Sequence, residues 1–224
     1  MHKNIEPSIL YFGTPVVLVT TLNEDGSPNV APMSSAWWLG WNCMLGFGAR
    51  SKTPQNLVRQ KECVLNLPSE TMVSAVNGLA RLTASDPVPP HKLAMGYRHE
   101  KNKFAIAGLT PVPSDLVNAP RIRECPVQLE AVLEQSHPFG HNPHRPSTAL
   151  GLEVRVIRAH IDESILLKGY DNRIDPDLWR PLMMSFCHFY GLGERLQDST
   201  LAEIPESAYR PAAHMGLATA NQFQ

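Results

Sequence analysis

Arg50-Ser-Lys-Thr-Pro-Gln-Asn56 gathers two cations, two hydroxyls and side-chain amides where a helix should begin. A helix N-terminus presents unpaired N–H groups and a partial positive charge, so it suits an anion without further help. Arg50, Ser51, Lys52, Thr53 and Asn56 add donors, and a phosphate monoester with nearly two negative charges would satisfy them. A second run, Asn29-Val-Ala-Pro-Met-Ser-Ser35, offers different chemistry. Pro28 and Pro32 bracket it, so its backbone cannot pair along its whole length. Free N–H and C=O groups at a strand end, with the hydroxyls of Ser34 and Ser35, can hydrogen-bond the edge of a planar heterocycle. Each run also has a plainer reading: a solvated helix start capped by Thr53, and an edge strand whose polar residues face water.

The elements that must position these runs are short strands and turns. Residues 16–21 are β-branched and apolar on both faces at first, which predicts a central strand. Asp25-Gly26 then marks a tight hairpin, and residues 28–31 return as the next strand. Residues 37–48 read as one apolar strand with Trp37, Trp38 and Trp41 clustered. Gly46 and Gly48 interrupt it, as glycines do where another backbone or a ligand approaches closely. Thr53 as N-cap and Pro54 in the first turn open a helix that ends near Lys61, and residues 62–67 form a strand stopped by Pro68.

Residues 71–84 carry Met72, Val76 and Leu79 at helical spacing. Residues 86–123 are proline-rich and aperiodic, a long connection lying over the surface or covering a site. Residues 126–134 alternate as a half-buried strand, 136–149 form a polar loop, 150–161 a second long strand, and 165–167 a brief β extension. Residues 176–190 read as a helix closed by Gly191-Leu-Gly193. No repeat or linker divides the chain, so one domain is expected over 1–200, with 201–224 as a loosely attached tail.

Composition narrows the function classes. A chain of 224 residues with 43% hydrophobic and 18% charged residues can bury a sizeable core. A formal charge of -1 gives no electrostatic case for nucleic acid or an acidic membrane surface as partner. Cys43, Cys63, Cys125 and Cys187 are far apart without a C-x-x-C pair, and three of them sit in apolar or strand-like runs, which favours buried free thiols in a reducing compartment. No stretch has the length of a signal core or a membrane span, so the expected location is the cytoplasm.

In combination the motifs resemble a known family. Phe12-Gly-x-Pro-Val-Val-Leu-Val-Thr-Thr21, Asp25-Gly-x-Pro-Asn-Val-Ala-Pro-Met-Ser34, Ser51-Lys-Thr-x-x-Asn-Leu57 and Glu62-Cys-Val-Leu-Asn-Leu67 are similar to the flavin reductase-like proteins with an FMN-binding split barrel. Gly108-Leu-Thr110 and Glu124-Cys-Pro-Val-Gln-Leu-Glu130 continue the likeness, which covers residues 9 to about 170.

The resemblance implies a mainly β fold: an antiparallel Greek-key split β-barrel with flanking helices. It implies a homodimer with FMN near the subunit interface. By position, Asn29, Ala31, Pro32, Met33, Ser34 and Ser35 would line the isoalloxazine and ribityl chain. Arg50, Ser51, Lys52, Thr53 and Asn56 would hold the phosphate. The implied activity is an NAD(P)H-dependent flavin oxidoreductase, with NADH or NADPH as co-substrate and no catalytic side chain. A bound-FMN electron relay and a non-catalytic flavin-binding or sensor protein stay open beside it. No G-x-G-x-x-G follows a strand, so the nicotinamide would stack in the flavin cleft rather than in a Rossmann site.

Other residues invite chemistry and have plainer readings. His137, His141 and His144 lie among prolines with no cysteine or carboxylate to complete a metal set, so a surface or substrate-facing loop is expected and no metal. Cys187-His188 sits in the expected helix, where neighbours point apart, so packing outweighs a nucleophilic pair. The Trp37/Trp38/Trp41 cluster reads as packing before ring stacking.

Overall fold

The computed structural model describes residues 1–140 and 147–209. Strand β1 (Val17–Leu22) is apolar on both faces because both are buried. Val17 and Val19 join Leu45, Leu57, Leu65 and Leu152 in one core, while Val16 and Leu18 join Val76, Leu79, Phe104 and Ile122 in a second. Each fully buried side chain of this kind contributes about 1.5–3 kcal/mol. The expected hairpin follows: Leu22 pairs with Pro28 of β2 (Pro28–Met33), and Gly26 has a φ of 78°.

Seven strands form one antiparallel sheet. The others are β3 (Ala36–Leu39), β4 (Asn42–Gly48), β5 (Glu62–Leu67), β6 (Val127–Phe139) and β7 (Ala149–Ile161). Their order across the sheet is β2-β1-β5-β6-β7-β4-β3. The two edges, β2 and β3, are consecutive in the chain, with only Ser34 and Ser35 between them. The steps from Met33 to Ala36 span at most about 11 Å, so the sheet must curl until its edges meet at that corner. No ladder joins β2 to β3 among the described residues, and the curl stops short of a closed barrel.

Helices cover the sheet. α1 (Lys52–Gln60) buries Leu57 in the first core. α2 (Val73–Leu79) and α4 (Lys103–Ala107) cover the other face of β1 and β2, and α3 (Pro90–Ala94) lies between them in sequence. Thus the aperiodic stretch 86–123 holds two short helices. The helix expected at 71–84 is confined to α2, preceded by a 3-10 turn at Glu70–Met72.

Two expectations change more. Residues 37–48 are two strands, because Gly40 takes a φ of 59° and turns β3 back onto β4, with Leu39 opposite Asn42. The helix expected at 176–190 is an extended segment and a hairpin, Met183–Ser185 pairing His188–Tyr190. Its turn residues Phe186 and Cys187 are left-handed, at φ 46° and 64°. Tyr11 O accepts the Phe186 N–H at 2.8 Å and Phe12 meets the Phe186 ring edge-on, so the N-terminal segment fixes that turn. Of residues 165–167, Ile165 ends a 3-10 turn, Glu163–Ile165, while Leu166 makes the brief β contact as an antiparallel bridge to Ile174, with the Leu167 N–H on Arg173 O at 2.7 Å.

The polar loop begins late. β6 runs on to Phe139 and carries His137 opposite Gly151, while His141 and His144 lie outside the described residues. Of the tail, Thr200–Glu203 and Glu206–Tyr209 form 3-10 turns, and 210–224 is likewise outside.

Glu130 is a side chain that alternation places toward water and the structure buries completely. Its carboxylate accepts the N–H groups of Asp115 at 2.9 Å and Leu116 at 2.6 Å, and meets His160 Nε2 at 2.6 Å. Burial pushes this carboxyl up, but the Asp115 N–H, His160 and the Leu116 N–H outweigh it and hold it below the usual range.

Candidate functional site

The two chemistry-bearing runs converge on β4. Gly46 donates its N–H to Ser35 O at 2.7 Å, and a Cβ on Gly46 would stand 3.0 Å from Ser35 Cβ. Two residues on, Gly48 O accepts the Ser51 N–H at 2.9 Å. Gly46 and Gly48 share a strand face and lie about 7 Å apart. The Ser34–Ser35 corner and the start of α1 are therefore neighbours along one strand. The close approach inferred from the glycines is made, at Gly46, by the Ser35 backbone.

The helix start itself is open. Ser51, not Thr53, is the N-cap, with no side-chain cap bond, and the first turn holds no acidic residue. Its first N–H groups and dipole are therefore free to face an anion. A cleft of about 200 Å³ beside it is lined by Gly48, Arg50, Ser51, His91 and Thr148. Arg50 is exposed and forms no ion pair or side-chain hydrogen bond with any described residue. His91 and Thr148 were beyond sequence reasoning. His91 comes from α3 inside the aperiodic stretch, and Thr148 borders β7 from the far end of the chain.

The remaining residues of the expected phosphate set turn elsewhere. Lys52 Nζ pairs with Glu24 at 2.6 Å, and Arg59 adds a second cation to Glu24 at 3.0 Å. These contacts hold the Glu24 carboxyl below its usual range, led by the Lys52 hydrogen bond. Lys52 lines a different cleft of about 190 Å³ with Asn23, Asp25, Ser27, His99 and Lys101.

Thr53 and Asn56 are buried with Asn29 in a polar knot. Asn29 Nδ2 donates to Thr53 Oγ1 at 3.1 Å and Thr21 Oγ1 at 3.2 Å. Asn56 Nδ2 donates to Thr21 Oγ1 at 3.1 Å and Asn23 Oδ1 at 3.0 Å. The knot ties the β1–β2 hairpin to α1 and fixes where the open helix start points. Lys103, which sequence reasoning passed over, closes it by donating to Asn29 Oδ1 at 2.8 Å and Val30 O at 3.1 Å. On the flat-ring side, Ala31, Pro32, Met33 and Ser34 are half-buried and Ser35 is exposed at the corner.

Other groups are accounted for locally. Asp115, Glu130 and His160 bring ligand atoms within 4.8 Å of one another, but Glu130 already serves two backbone N–H groups there. Cys43, Cys63 and Cys125 are buried free thiols, as expected; burial pushes Cys43 up to about 12 and the other two higher still. Cys187 is exposed in its turn, where His188 opens the next strand. Among the described residues no helix is long and apolar enough to cross a membrane.

Comparison with known proteins shows the family. The flavin reductase like domain matches residues 9–176. The uncharacterized protein YdfE of Bacillus subtilis (strain 168) is 40% identical over 201 residues, covering 90% of this chain and 94% of YdfE. Among solved structures, nitrilotriacetate monooxygenase component B from Bacillus cereus is 26% identical with a TM-score of 0.67, covering 85% of this chain and 88% of its own. Flavoredoxin of Desulfovibrio vulgaris (Miyazaki F) superposes with a TM-score of 0.72 over 91% of this chain and 100% of its own, at 22% identity, a likeness of fold.

Proposed function

This chain belongs to the flavin reductase-like family, and we propose that it is an FMN-binding oxidoreductase taking hydride from NADH or NADPH onto flavin. The observation that carries the proposal is Arg50, a cation with no partner among the described residues, beside an uncapped, acid-free helix start in a cleft of about 200 Å³. That cleft suits a phosphate and part of a ribityl chain, with the flat ring extending along the Ser34–Ser35 corner. Arg50, Ser51 and the first N–H groups of α1 take the phosphate. Ala31, Pro32, Met33, Ser34 and Ser35 line the ring and the chain leading to it. Asn29, Thr53 and Asn56 act from beneath, holding hairpin and helix in register through the buried knot.

Flavin, when bound, supplies the redox chemistry, and the protein supplies orientation and electrostatics. Hydride transfer needs no proton from a side chain, so no acid–base residue is assigned. Donors at the ring's polar edge and the positive end of α1 favour added negative charge on the ligand. Titration with FMN, followed by flavin fluorescence, should reach saturation at one flavin per chain. A signal that never departs from free FMN removes the reading.

The reading extends to a cytoplasmic homodimer built on one unit over 1–200. Trp37 (58% exposed) and Leu39 (76%) alternate on one face of β3, and the strand register puts Phe139 (70%) on the same side of the sheet. Large apolar side chains exposed on one side of a sheet mark an interaction surface. A Trp37→Glu/Leu39→Glu chain should sediment as a monomer where the native chain sediments as a dimer. A native monomer would exclude the assembly.

A further inference from the structure

Lys103 is 4% exposed, and none of the ion pairs among the described residues includes it. A lysine is rarely buried without a carboxylate, because desolvation disfavours its charge. Among the described residues no carboxylate pairs with it. α2 carries no charged residue and neither does β2, two elements packed on α4. Lys92 adds a like charge from α3. The acids of the adjoining segments are engaged: Glu24 with Lys52 and Arg59, Asp25 with Lys101, and Glu100 with the Asn102 N–H at 2.8 Å. Burial, with Lys92, brings Lys103 down to about 8.

The hydrogen bonds around Lys103 run in one direction. An ammonium can only donate, so Asn29 must present Oδ1 to it. The Asn29 amide group must then face Thr53 and Thr21, and both hydroxyls must accept. Thr53 Oγ1 donates to no described residue, and Thr53 is the second residue of the open helix, so the bond from Asn29 ends within its first turn. Each donor in such a chain strengthens the next. The chain from Lys103 Nζ to Thr53 Oγ1 spans at most about 8 Å, short enough for the buried charge to act directly as well.

We propose that Lys103 is a positioning residue for an anion at the α1 N-terminus, transmitting its charge through Asn29 and Thr53, so that binding of a phosphate-bearing ligand and protonation of Lys103 are linked. This deepens the flavin reading above and rests on it for the identity of the ligand. The sign follows from linkage. An anion favours the charged lysine, so binding raises the Lys103 pKa, and affinity is highest below about 8 and falls as pH rises through that value.

The test compares FMN, riboflavin and inorganic phosphate at pH ~7 and ~9 in the native chain and in Lys103→Met and Lys103→Arg. At both values the FMN phosphate is largely dianionic, since its second pKa is about 6. Native FMN affinity should fall about 5- to 10-fold across this range while riboflavin affinity holds. Lys103→Arg should bind FMN without that fall. Lys103→Met should lose about 10-fold at the lower pH, leave riboflavin unchanged and show no fall. A His91→Gln chain, which removes the imidazole of the cleft, should keep it.

Equal losses of FMN and riboflavin, or a pH fall that survives both Lys103 variants, would overturn the assignment. If Lys103→Met does not fold, as a melting curve reports, Lys103→Arg decides alone. If no flavin binds the native chain, the flavin reading fails by itself. The phosphate series then decides: a pH fall abolished in Lys103→Arg supports the linkage, and an unchanged or absent fall overturns it.

Discussion

Replacing Arg50 by alanine weakens FMN binding about 10- to 100-fold and leaves riboflavin binding within about 2-fold. Arg50 has no described partner, so its removal strands no carboxylate and costs the fold little. What is lost is a charge-assisted hydrogen bond to a phosphate, worth about 1.5–3 kcal/mol. Lys52 is the useful contrast. Its charge is committed to Glu24, so Lys52→Ala should affect FMN far less than Arg50→Ala. Fluorescence titration of both variants with the two flavins measures the difference. Equal losses with FMN and riboflavin would mean that Arg50 holds the ring or the loop, not the phosphate.

Leu65→Ala should destabilise the protein by about 3 kcal/mol, within the usual range for a buried leucine, and lower the melting temperature by roughly 6–12 °C. Leu65 is fully buried at the centre of the sheet, opposite Val19 of β1 and Leu129 of β6. Neighbours held by two ladders cannot move far to fill the space, so the cavity term should be nearly whole. Urea unfolding at constant slope measures it. A loss under about 1 kcal/mol would mean that the curled sheet collapses around the vacancy.

The parts of the fold legible in the sequence are those where local chemistry and tertiary environment agree. Residues 16–21 read as central because both faces are apolar, and β1 has a core on each side. Asp25-Gly26 marked its turn correctly, and residues 62–67 were bounded by a helix stop and Pro68. Misreadings arose where a distant segment decides. Phe186 and Cys187 adopt left-handed backbone that no local preference signals, held by Tyr11 and Phe12 from the other end of the chain. The turn at Gly40 was hidden because Trp37, Trp38 and Trp41 made the whole stretch look apolar.

The site divides in the same way. Order and spacing located the two runs, and β4 brings them together. Composition could not sort their side chains into outward and buried sets. Lys52 and Thr53 are adjacent, yet one pairs with Glu24 at the surface and the other joins a buried knot. Lys103 and His91 were invisible because they sit in a stretch without period, and only the folded chain carries them to the hairpin and the helix start.

The central claim is tested most directly by the visible spectrum of the FMN-loaded protein before and after anaerobic addition of NADH, then NADPH. The account predicts that the flavin bands bleach with at least one nucleotide, faster than free FMN does under the same conditions, and the effective nucleotide is the donor. Bands that persist with both, in a protein that binds FMN, would contradict the reductase and leave a relay or a sensor built on the same site.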